Sequence, residues 1–284
     1  MPLVRMDELL RQARAHRYAV AAFECWNSAN IYGIAVGAQA CGMPVIFQAS
    51  PVEYALMGGP LALQKIVELY VEQTGITAAL HLDHGSTLDQ VKECLAAGFT
   101  SVMLDASRET FARNVELSKA AAELAHARNV PVEAELGHVG GSEGEFAGEA
   151  VPEAHLTDAQ EAARFVRETG VDCLAVAIGT VHGDYRGEPR IHLDRLREVA
   201  AAVEVPLVLH GGSGTPPPIL REAIRLGIAK INICTDIHKA WLSGIAAAQG
   251  KRTPSVPGRF YEFAHEMLVA KVVEMIRLFS EGAV

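Results

Sequence analysis

The sequence predicts an α/β fold, a (β/α)8 TIM barrel with an extra C-terminal helix, and three observations support this class. Eight short apolar runs, rich in small and β-branched residues, alternate with longer amphipathic runs along the 284 residues. Buried parallel strands and their crossover helices produce that alternation. Polar residues collect where the apolar runs end, as they do in barrel enzymes. No linker or shift of composition divides the chain, so we expect residues 1–284 to form one barrel domain.

Each short run has the four to eight residues of a buried strand. The predicted strands are Tyr18–Phe23, Pro44–Ser50, Thr77–Asp83, Ser101–Asp105, Pro131–Leu136, Asp172–Gly179, Pro206–Gly211 and Ile228–Ile233. Helical patterns between them include Leu61–Gln73, Leu88–Ala97, Arg108–Asn129, Asp158–Thr169 and Pro218–Leu226. Tyr261–Ser280 has the pattern of an additional amphipathic helix, suited to an oligomer contact. A doubly wound sheet is the alternative, but the first strand is not followed by a GxGxxG turn.

Composition and charge exclude several classes of protein. Half of the residues are hydrophobic and 21% are charged, so the chain can build a sizeable core and is not disordered. The net charge of −9 argues against a nucleic-acid partner, and no basic amphipathic segment suggests a membrane surface. No apolar run approaches the roughly 18 residues of a membrane span, and the N-terminus lacks a signal-peptide core. Five widely spaced cysteines without a CxxC pair favour a reducing, cytoplasmic compartment.

Three histidines, His84, His182 and His210, each follow a different predicted strand. The carboxyl ends of barrel strands meet at one mouth, and three imidazoles with an open fourth position are a ligand set for catalytic zinc. Asp83 neighbours a candidate ligand, and a carboxylate beside a metal is a natural general acid/base. The other interpretation of Asp83 is a partner that orients a histidine ligand.

Further polar residues lie at the same strand ends. Asp105 and Glu135 could hold a second metal or form hydrogen bonds to the first ligands. We interpret His81 as a core histidine with a satisfied hydrogen bond, and Lys230 as a phosphate or structural contact.

Glycine-rich segments mark a candidate phosphate site. Gly211-Gly212-Ser213-Gly214 follows His210 directly, and Asn232–Thr235 follows the last predicted strand. Loops after strands seven and eight commonly bind phosphate in barrels, since glycines let backbone N–H groups approach the anion. The long glycine-rich stretch His138–Ala154 could form a lid.

In combination, these motifs resemble the class II, metal-dependent ketose-bisphosphate aldolases, closest to the tagatose-/fructose-bisphosphate group. The resemblance runs from about Val4 to Leu278. It rests on His81-Leu82-Asp83-His84-Gly85, Glu133-Ala134-Glu135-Leu136-Gly137, Ala177-Ile178-Gly179-Thr180 before His182-Gly183, Leu209-His210-Gly211-Gly212-Ser213-Gly214, and Gly227-Ile228 leading to Lys230-Ile231-Asn232-Ile233.

The resemblance implies an aldehyde-lyase of carbohydrate metabolism. Such an enzyme reversibly cleaves a ketose 1,6-bisphosphate of fructose or tagatose type into dihydroxyacetone phosphate and an aldehyde, through a zinc-stabilised enediolate. His84, His182 and His210 would bind Zn²⁺, with Asp105 and Glu135 at a second metal position. Asp83 would be the proton donor and acceptor, and Glu143 the mobile acid. Ser50 would contact the far phosphate, and a monovalent cation, Na⁺ or K⁺, would lie near the dihydroxyacetone phosphate. The residues that would contact dihydroxyacetone phosphate are Gly183, Gly211, Gly212, Ser213, Asn232, Ile233, Cys234 and Thr235. The expected partner is a phosphorylated sugar, and the expected assembly a homodimer or homotetramer.

Three positions depart from that family on the aldehyde half of the site. Glu24 stands where the family usually has Asn, Cys234 where fructose-bisphosphate enzymes tend to have Asp, and His238 where many have Arg. A basic residue such as Arg252 or Arg259, or one from a neighbouring subunit, could replace that arginine.

The departures leave an alternative open, an aldolase of the same family that acts on a ketose monophosphate or another non-standard acceptor. A non-enzymatic sugar-phosphate-binding subunit is a distant third, because it should have lost Asp83 or a zinc histidine. A zinc hydrolase on a barrel would carry a His-x-His pair on the first strand, which is absent.

Overall fold

Eight parallel strands pair in chain order and close into a barrel. The computed structural model describes residues 3–141, 155–185, 187–249 and 258–281, without the side chains of residues 258–260. The strands are β1 (Val20–Glu24), β2 (Val45–Ala49), β3 (Ala78–Gly85), β4 (Ser101–Leu104), β5 (Val132–Leu136), β6 (Cys173–Val176), β7 (Leu207–Leu209) and β8 (Ile228–Ile233). Because β1 pairs with both β2 and β8, the sheet has no edge. The barrel prediction is confirmed, and the doubly wound alternative, which needs an open sheet, is wrong.

Eleven helices surround this barrel in the described residues. They are α1 (Met6–His16), α2 (Ser28–Cys41), α3 (Pro51–Leu56), α4 (Pro60–Thr74), α5 (Leu88–Ala97), α6 (Phe111–His126), α7 (Ala159–Thr169), α8 (Leu193–Ala202), α9 (Pro217–Arg225), α10 (Thr235–Gln249) and α11 (Gly258–Ser280). Six of these were predicted from the sequence, and α1, α2, α3, α8 and α10 are additional.

Two element ends differ from the prediction for local physical reasons. Helix α6 begins after Thr110 rather than at Arg108, because the Thr110 side chain accepts a hydrogen bond from the Arg113 N–H and caps the helix. Strand β6 ends at Val176 rather than at Gly179, whose φ of 98° is incompatible with a strand. The chain therefore leaves the strand and enters the loop that carries His182.

Two apolar cores stabilise the barrel. The larger one lies between the strands and the surrounding helices. The smaller one fills the N-terminal end of the barrel, where Met6 and Leu10 of α1 pack with inward residues such as Ala22 and Val208. Helix α1 thus closes this end, and the polar residues lie at the other end.

The predicted extra C-terminal helix is present as α11, and it packs against α10 and α2. A Cβ added to Gly33 or Gly37 of α2 would lie 2.7 or 2.5 Å from the side chains of Leu268 and Val272 on α11. Glycine at these positions therefore permits the close approach of the two helices. Within the described ranges, no helix combines the length and apolar character that a bilayer span requires.

Candidate metal and active site

The three predicted ligands converge at the C-terminal end of the barrel. His84 lies in the last part of β3, His182 in the loop after β6, and His210 directly after β7. The ring centroids of His84 and His210 are 4.7 Å apart, and His182 lies 5.2 Å from His84 and 5.9 Å from His210. One nitrogen of each ring lies within 4.8 Å of the others. Small side-chain adjustments would let one ion contact all three, since Zn–N distances are about 2.0–2.1 Å.

A distortion of β3 brings consecutive residues to the same site. Side chains alternate along a regular strand, so Asp83 and His84 should face opposite sides. His84, however, has a left-handed backbone with φ of 45°, and the register with β4 shifts between Leu82 and Gly85. A Cβ on Gly85 would lie 2.6 Å from the carbonyl oxygen of Met103, so only glycine fits there. Strained backbone of this kind concentrates at functional sites.

Carboxylates orient two of the three histidines. Asp105 Oδ2 lies 2.8 Å from His84 Nδ1, and Glu133 Oε1 lies 2.8 Å from His210 Nε2. Metal-binding histidines usually donate their second N–H in this way. His84 Nε2 and His210 Nδ1 are then the atoms directed at the ion. His210 Nδ1 is buried without a hydrogen-bond partner, and Glu135 Oε2 lies 3.3 Å away without hydrogen-bond geometry.

Sequence reasoning missed the role of Glu133. This residue is fully buried on β5, and its second carboxylate oxygen accepts a hydrogen bond from Lys230 Nζ over 2.8 Å. Burial raises the pKa of Glu133, but Lys230 and His210 more than reverse this and hold the pKa well below its usual value. The available signal was the spacing of Glu133 and Glu135, because residues two apart on a strand share a face. Lys230, fully buried in this ion pair, is a structural contact.

Burial and neighbouring charges shift the pKa values of His182 and His210 in opposite directions. Burial lowers the pKa of His182 well below its usual value, and His84 and His210 lower it further. His182 is therefore neutral, the form that binds metal. Burial also lowers the pKa of His210, but the carboxylates of Glu133 and Glu135 raise it to about 9. A cation that binds His210 near neutral pH must therefore displace a proton.

Among the residues that the structure describes, two further groups of potential ligands lie near the three histidines. His84, Asp105 and Glu135 form one group, at the predicted second metal position. Burial raises the pKa of Asp105, but His84 outweighs this effect and holds that pKa well below its usual value. The other group contains His81 and Glu133, but Lys230 already supplies a positive charge there. His81 is buried with Nδ1 2.9 Å from Ser101 Oγ, which agrees with its interpretation as a core histidine.

Asp83 is held in place by two amide side chains. Gln48 Nε2 donates to Asp83 Oδ2 over 2.6 Å, and Asn232 Nδ2 lies 3.3 Å from both carboxylate oxygens. Asp83 is fully buried. Burial raises its pKa, but His84, Lys230 and His210 outweigh this and lower it. An ionised carboxylate next to the histidines can accept a proton. Gln48 was not predicted, although a glutamine inside the apolar strand β2 is itself a signal.

The predicted phosphate-binding loops lie side by side. Gly211 has φ of 66°, and a Cβ there would lie 2.4 Å from the Val181 carbonyl oxygen. Gly212 N donates to Asn232 O over 3.1 Å, which joins the loops after β7 and β8. Thr235 begins α10, whose N-terminus presents backbone N–H groups that favour an anion. The structure therefore brings these predicted residues together.

A cavity of about 480 Å³, called the mouth cavity below, opens beside the histidines. His84 and His182 line one part of it, while Ser50, Glu53 and Arg108 line another. A second cavity of about 480 Å³ lies near α1 and the loops before β2 and β3, lined by Leu9, Gly42 and Gly75 among others. It shares no residue with the predicted metal site, whereas His84 and His182 line the first cavity.

The positions that depart from the resembled family have their own contacts. Glu24 is fully buried, and its carboxylate accepts hydrogen bonds from Gln48 Nε2 at 3.3 Å and from Ser50 N at 3.0 Å. His238 Nδ1 lies 3.7 Å from Cys234 Sγ, and the His238 ring meets the ring of Trp26 edge-on with centroids 4.3 Å apart. Burial lowers the pKa of His238. Neither Glu24 nor His238 lines the mouth cavity.

Three predicted groups lie outside the described atoms. Glu143 and Arg252 fall in undescribed stretches of the chain, and the side chain of Arg259 is not described. Their roles stay predictions.

Comparison with known proteins agrees with this geometry. The sequence profile of a family described as "Fructose-bisphosphate aldolase class-II" matches residues 4–282. A fructose-bisphosphate aldolase of Geobacillus stearothermophilus is 39% identical over 99% of this chain and 98% of its own length. One of Staphylococcus epidermidis is 42% identical over 83% and 82%. The solved structure of the YdjI aldolase from Escherichia coli K12 superposes with a TM-score of 0.85 at 31% identity, covering 98% of this chain and 97% of that one. By sequence and by fold, the chain is a member of the class II fructose-bisphosphate aldolase family.

Proposed function

We propose that the protein reversibly cleaves fructose 1,6-bisphosphate into dihydroxyacetone phosphate and glyceraldehyde 3-phosphate. The observation that carries the proposal is the convergence of His84, His182 and His210 beside the buried carboxylate of Asp83. Family membership and the names of the relatives support the same reaction. Tagatose 1,6-bisphosphate, which differs only in stereochemistry at one carbon, belongs to the same proposal.

The class II family is metal-dependent, and the three histidines fit a resident divalent cation. The donor set is three imidazoles, and the partnerless His210 Nδ1 is the atom that such a cation would engage. We assign Zn²⁺ as the ion, because three imidazoles with an open position suit it. When bound, it supplies a Lewis acid that withdraws electrons from the C2 carbonyl of the substrate.

Asp83 acts as the base in the cleavage direction. Its carboxylate takes the proton of the C4 hydroxyl, the C3–C4 bond breaks, and the electron pair of that bond moves towards C2. Gln48 and Asn232 restrict the Asp83 side chain, so its oxygens are already placed for the transfer. Glu143 is proposed to protonate C3 afterwards, with Asp105 and Glu135 at a second metal position.

The phosphate of the dihydroxyacetone half is assigned to the loops after β6, β7 and β8. The proposed contacts are Gly183, Gly211, Gly212, Ser213, Asn232, Ile233, Cys234 and Thr235, with Na⁺ or K⁺ nearby. Support comes from the glycine backbone at Gly211 and from the N-terminus of α10. We further propose one barrel domain over residues 1–284, a homodimer or homotetramer, and a cytoplasmic location.

A specific observation favours a second candidate, a ketose 1-phosphate substrate. Both hydrogen-bond donors of Ser50, the predicted far-phosphate contact, already serve Glu24 and Glu53. An acceptor aldehyde without a phosphate would not need these two donors.

The test measures release of dihydroxyacetone phosphate from fructose 1,6-bisphosphate, tagatose 1,6-bisphosphate and fructose 1-phosphate by the zinc-loaded protein. Chelation should abolish activity and zinc should restore it, whereas borohydride plus substrate should leave the enzyme active because no lysine adduct forms. Failure to cleave any of the three, or full activity after metal removal, would contradict the proposed function.

A further inference from the structure

Arg108 stands out on the wall of the mouth cavity, because no other lysine or arginine of the described residues lines it. Arg108 is exposed, and no hydrogen bond or ion pair engages its guanidinium in the described part of the chain. The planar guanidinium fork binds phosphate through two parallel hydrogen bonds and keeps its charge at every relevant pH. We propose that Arg108 binds the distal phosphate of the substrate, the one on the aldehyde half. This inference rests on the proposed aldolase function.

The backbone that carries Arg108 is tied to the metal ligands. Asp105, at the end of β4, uses one oxygen for His84 Nδ1 at 2.8 Å and the other for the N–H of Ser107 at 2.9 Å. Thr110 then caps α6. The turn between these anchors is only a few residues long, so it fixes where Arg108 leaves the backbone relative to the histidines.

Arg108 also lies in the direction in which the substrate extends. The proposed phosphate cradle follows β6, β7 and β8, whereas Arg108 follows β4, across the closed barrel from β8. A ketose with its first phosphate in the cradle and its carbonyl near the histidines must extend its remaining carbons away from β8. The cavity beside the histidines, with Arg108 on its wall, lies in that direction.

The other candidate positions for the distal phosphate lack a positive charge. Ser50 directs its N–H at Glu24 and its hydroxyl at Glu53. His238 packs edge-on against Trp26, and burial favours its neutral form. Among the described residues, the charge that a second phosphate needs is therefore supplied from β4 rather than from α10.

The cavity wall makes the placement selective. Carboxylates of Glu53, Asp105 and Glu135 share this wall with Arg108. Their negative charges oppose a phosphate, and the guanidinium is the group on this wall that attracts one. Removal of Arg108 should therefore leave a site that still accepts a neutral acceptor but rejects an anionic one.

The experiment compares kcat/KM for fructose 1,6-bisphosphate and fructose 1-phosphate in the zinc-loaded wild type, Arg108→Met and Arg108→Lys. The matched control is Arg113→Met, whose arginine pairs with Glu116 on α6 and does not line the cavity. We expect wild type to prefer the bisphosphate. Arg108→Met should lower that preference roughly 10- to 100-fold, the size of a lost charged hydrogen bond. The loss should be mainly in KM, Arg108→Lys should lie between, and Arg113→Met should match wild type.

Two results would overturn the role of Arg108. One is an unchanged preference in Arg108→Met, which includes an equal loss for both substrates, and the other is a wild type that cleaves both substrates equally well. In each case the aldolase function stands, and the charge for any second phosphate comes from elsewhere, such as Arg252, Arg259 or a neighbouring subunit. A wild type that cleaves neither substrate contradicts the proposed function instead.

Discussion

At the residue scale, hydrogen bonds between carboxylates and histidines decide which imidazole nitrogens remain for a cation. Asp105 engages His84 Nδ1, and Glu133 engages His210 Nε2. Each carboxylate therefore sets both the ring orientation and the tautomer of its histidine. The side-chain amides of Gln48 and Asn232 likewise fix the orientation of the Asp83 carboxylate.

Asp83→Ala should lower turnover on the order of 10²–10⁴-fold, the usual contribution of a general base. The bound zinc should remain, because Asp83 is not among the three histidine ligands. Steady-state kinetics combined with metal analysis of the purified variant checks both points. A variant that loses its zinc along with its activity would show that Asp83 is a ligand or orients one.

Glu133→Gln should weaken zinc binding by roughly 10- to 100-fold, the usual effect of changing the carboxylate behind a metal-binding histidine. The glutamine keeps the volume but removes the charge that faces both His210 and Lys230. Competition with a metal-sensitive dye measures the affinity without turnover. Glu109→Gln, in an exposed position between β4 and α6, is the matched control. Equal affinities in the two variants would contradict the orienting role.

At the element scale, α1 is the helix that closes the N-terminal end of the barrel. Its buried residues Met6, Leu9, Leu10 and Ala13 form the smaller core with the inward strand side chains. Arg5 and Arg11 hold the buried Asp7 at the start of the helix, with N···O distances of 3.0 and 2.6 Å.

Leu10→Ala should lower the free energy of unfolding by about 2–5 kcal/mol, the usual cost of truncating a fully buried leucine. Leu10 is fully buried at the closed end of the barrel, whereas the proposed zinc ligands lie at the other end. Urea unfolding measures the loss, and zinc affinity at a temperature where the variant is folded should match wild type. A variant as stable as wild type would contradict the role of α1 in closing and stabilising the N-terminal end of the barrel.

The contribution of Asp7 should depend on pH. Burial raises the pKa of Asp7, but hydrogen bonds from Arg5 and Arg11 outweigh this and lower it below its usual value. A carboxyl with a lowered pKa stabilises the fold fully above the unfolded pKa, about 3.9 for Asp, and progressively less as the pH falls towards the folded value. Urea unfolding of wild type and Asp7→Asn should therefore differ most near pH 7 and converge below about pH 4. A difference in the free energy of unfolding between wild type and Asp7→Asn that grows as the pH falls would contradict a lowered pKa of Asp7.

At the scale of the whole molecule, we expect the barrel to form without the ion. Its eight strands are fully paired with each other, and apolar clusters fill the spaces between strands and helices. The proposed metal site uses side chains from several distant strands, so the ion should stabilise the folded state without being needed to form it.

Zinc at 100 times its dissociation constant should stabilise the folded protein by about 2.7 kcal/mol. That corresponds to a rise in Tm of roughly 5 °C for a chain of this size. Calorimetry of the zinc-loaded and chelated protein measures the shift, and circular dichroism should show the same secondary structure in both. His210→Ala should remove most of the shift. Loss of the fold on chelation would contradict an independent barrel.

The sequence by itself determined the barrel and the residues at its mouth, whereas only the tertiary structure decided how they pair. Alternation of strand and helix patterns is local, and the closed barrel then brings every strand end to one mouth, so His84, His182 and His210 could be named in advance. The partners come from far along the chain. Glu133 is 77 residues from His210 and 97 from Lys230, and Asn232 is 149 from Asp83.

No local sequence pattern predicts contacts between residues so far apart along the chain. Nor does one predict the left-handed backbone at His84 that brings Asp83 and His84 to the same site. They follow from the register of eight strands and the packing around them. For the same reason, the sequence showed only that His238 stands where many members of the resembled family have arginine, whereas the folded cavity shows Arg108 on its wall.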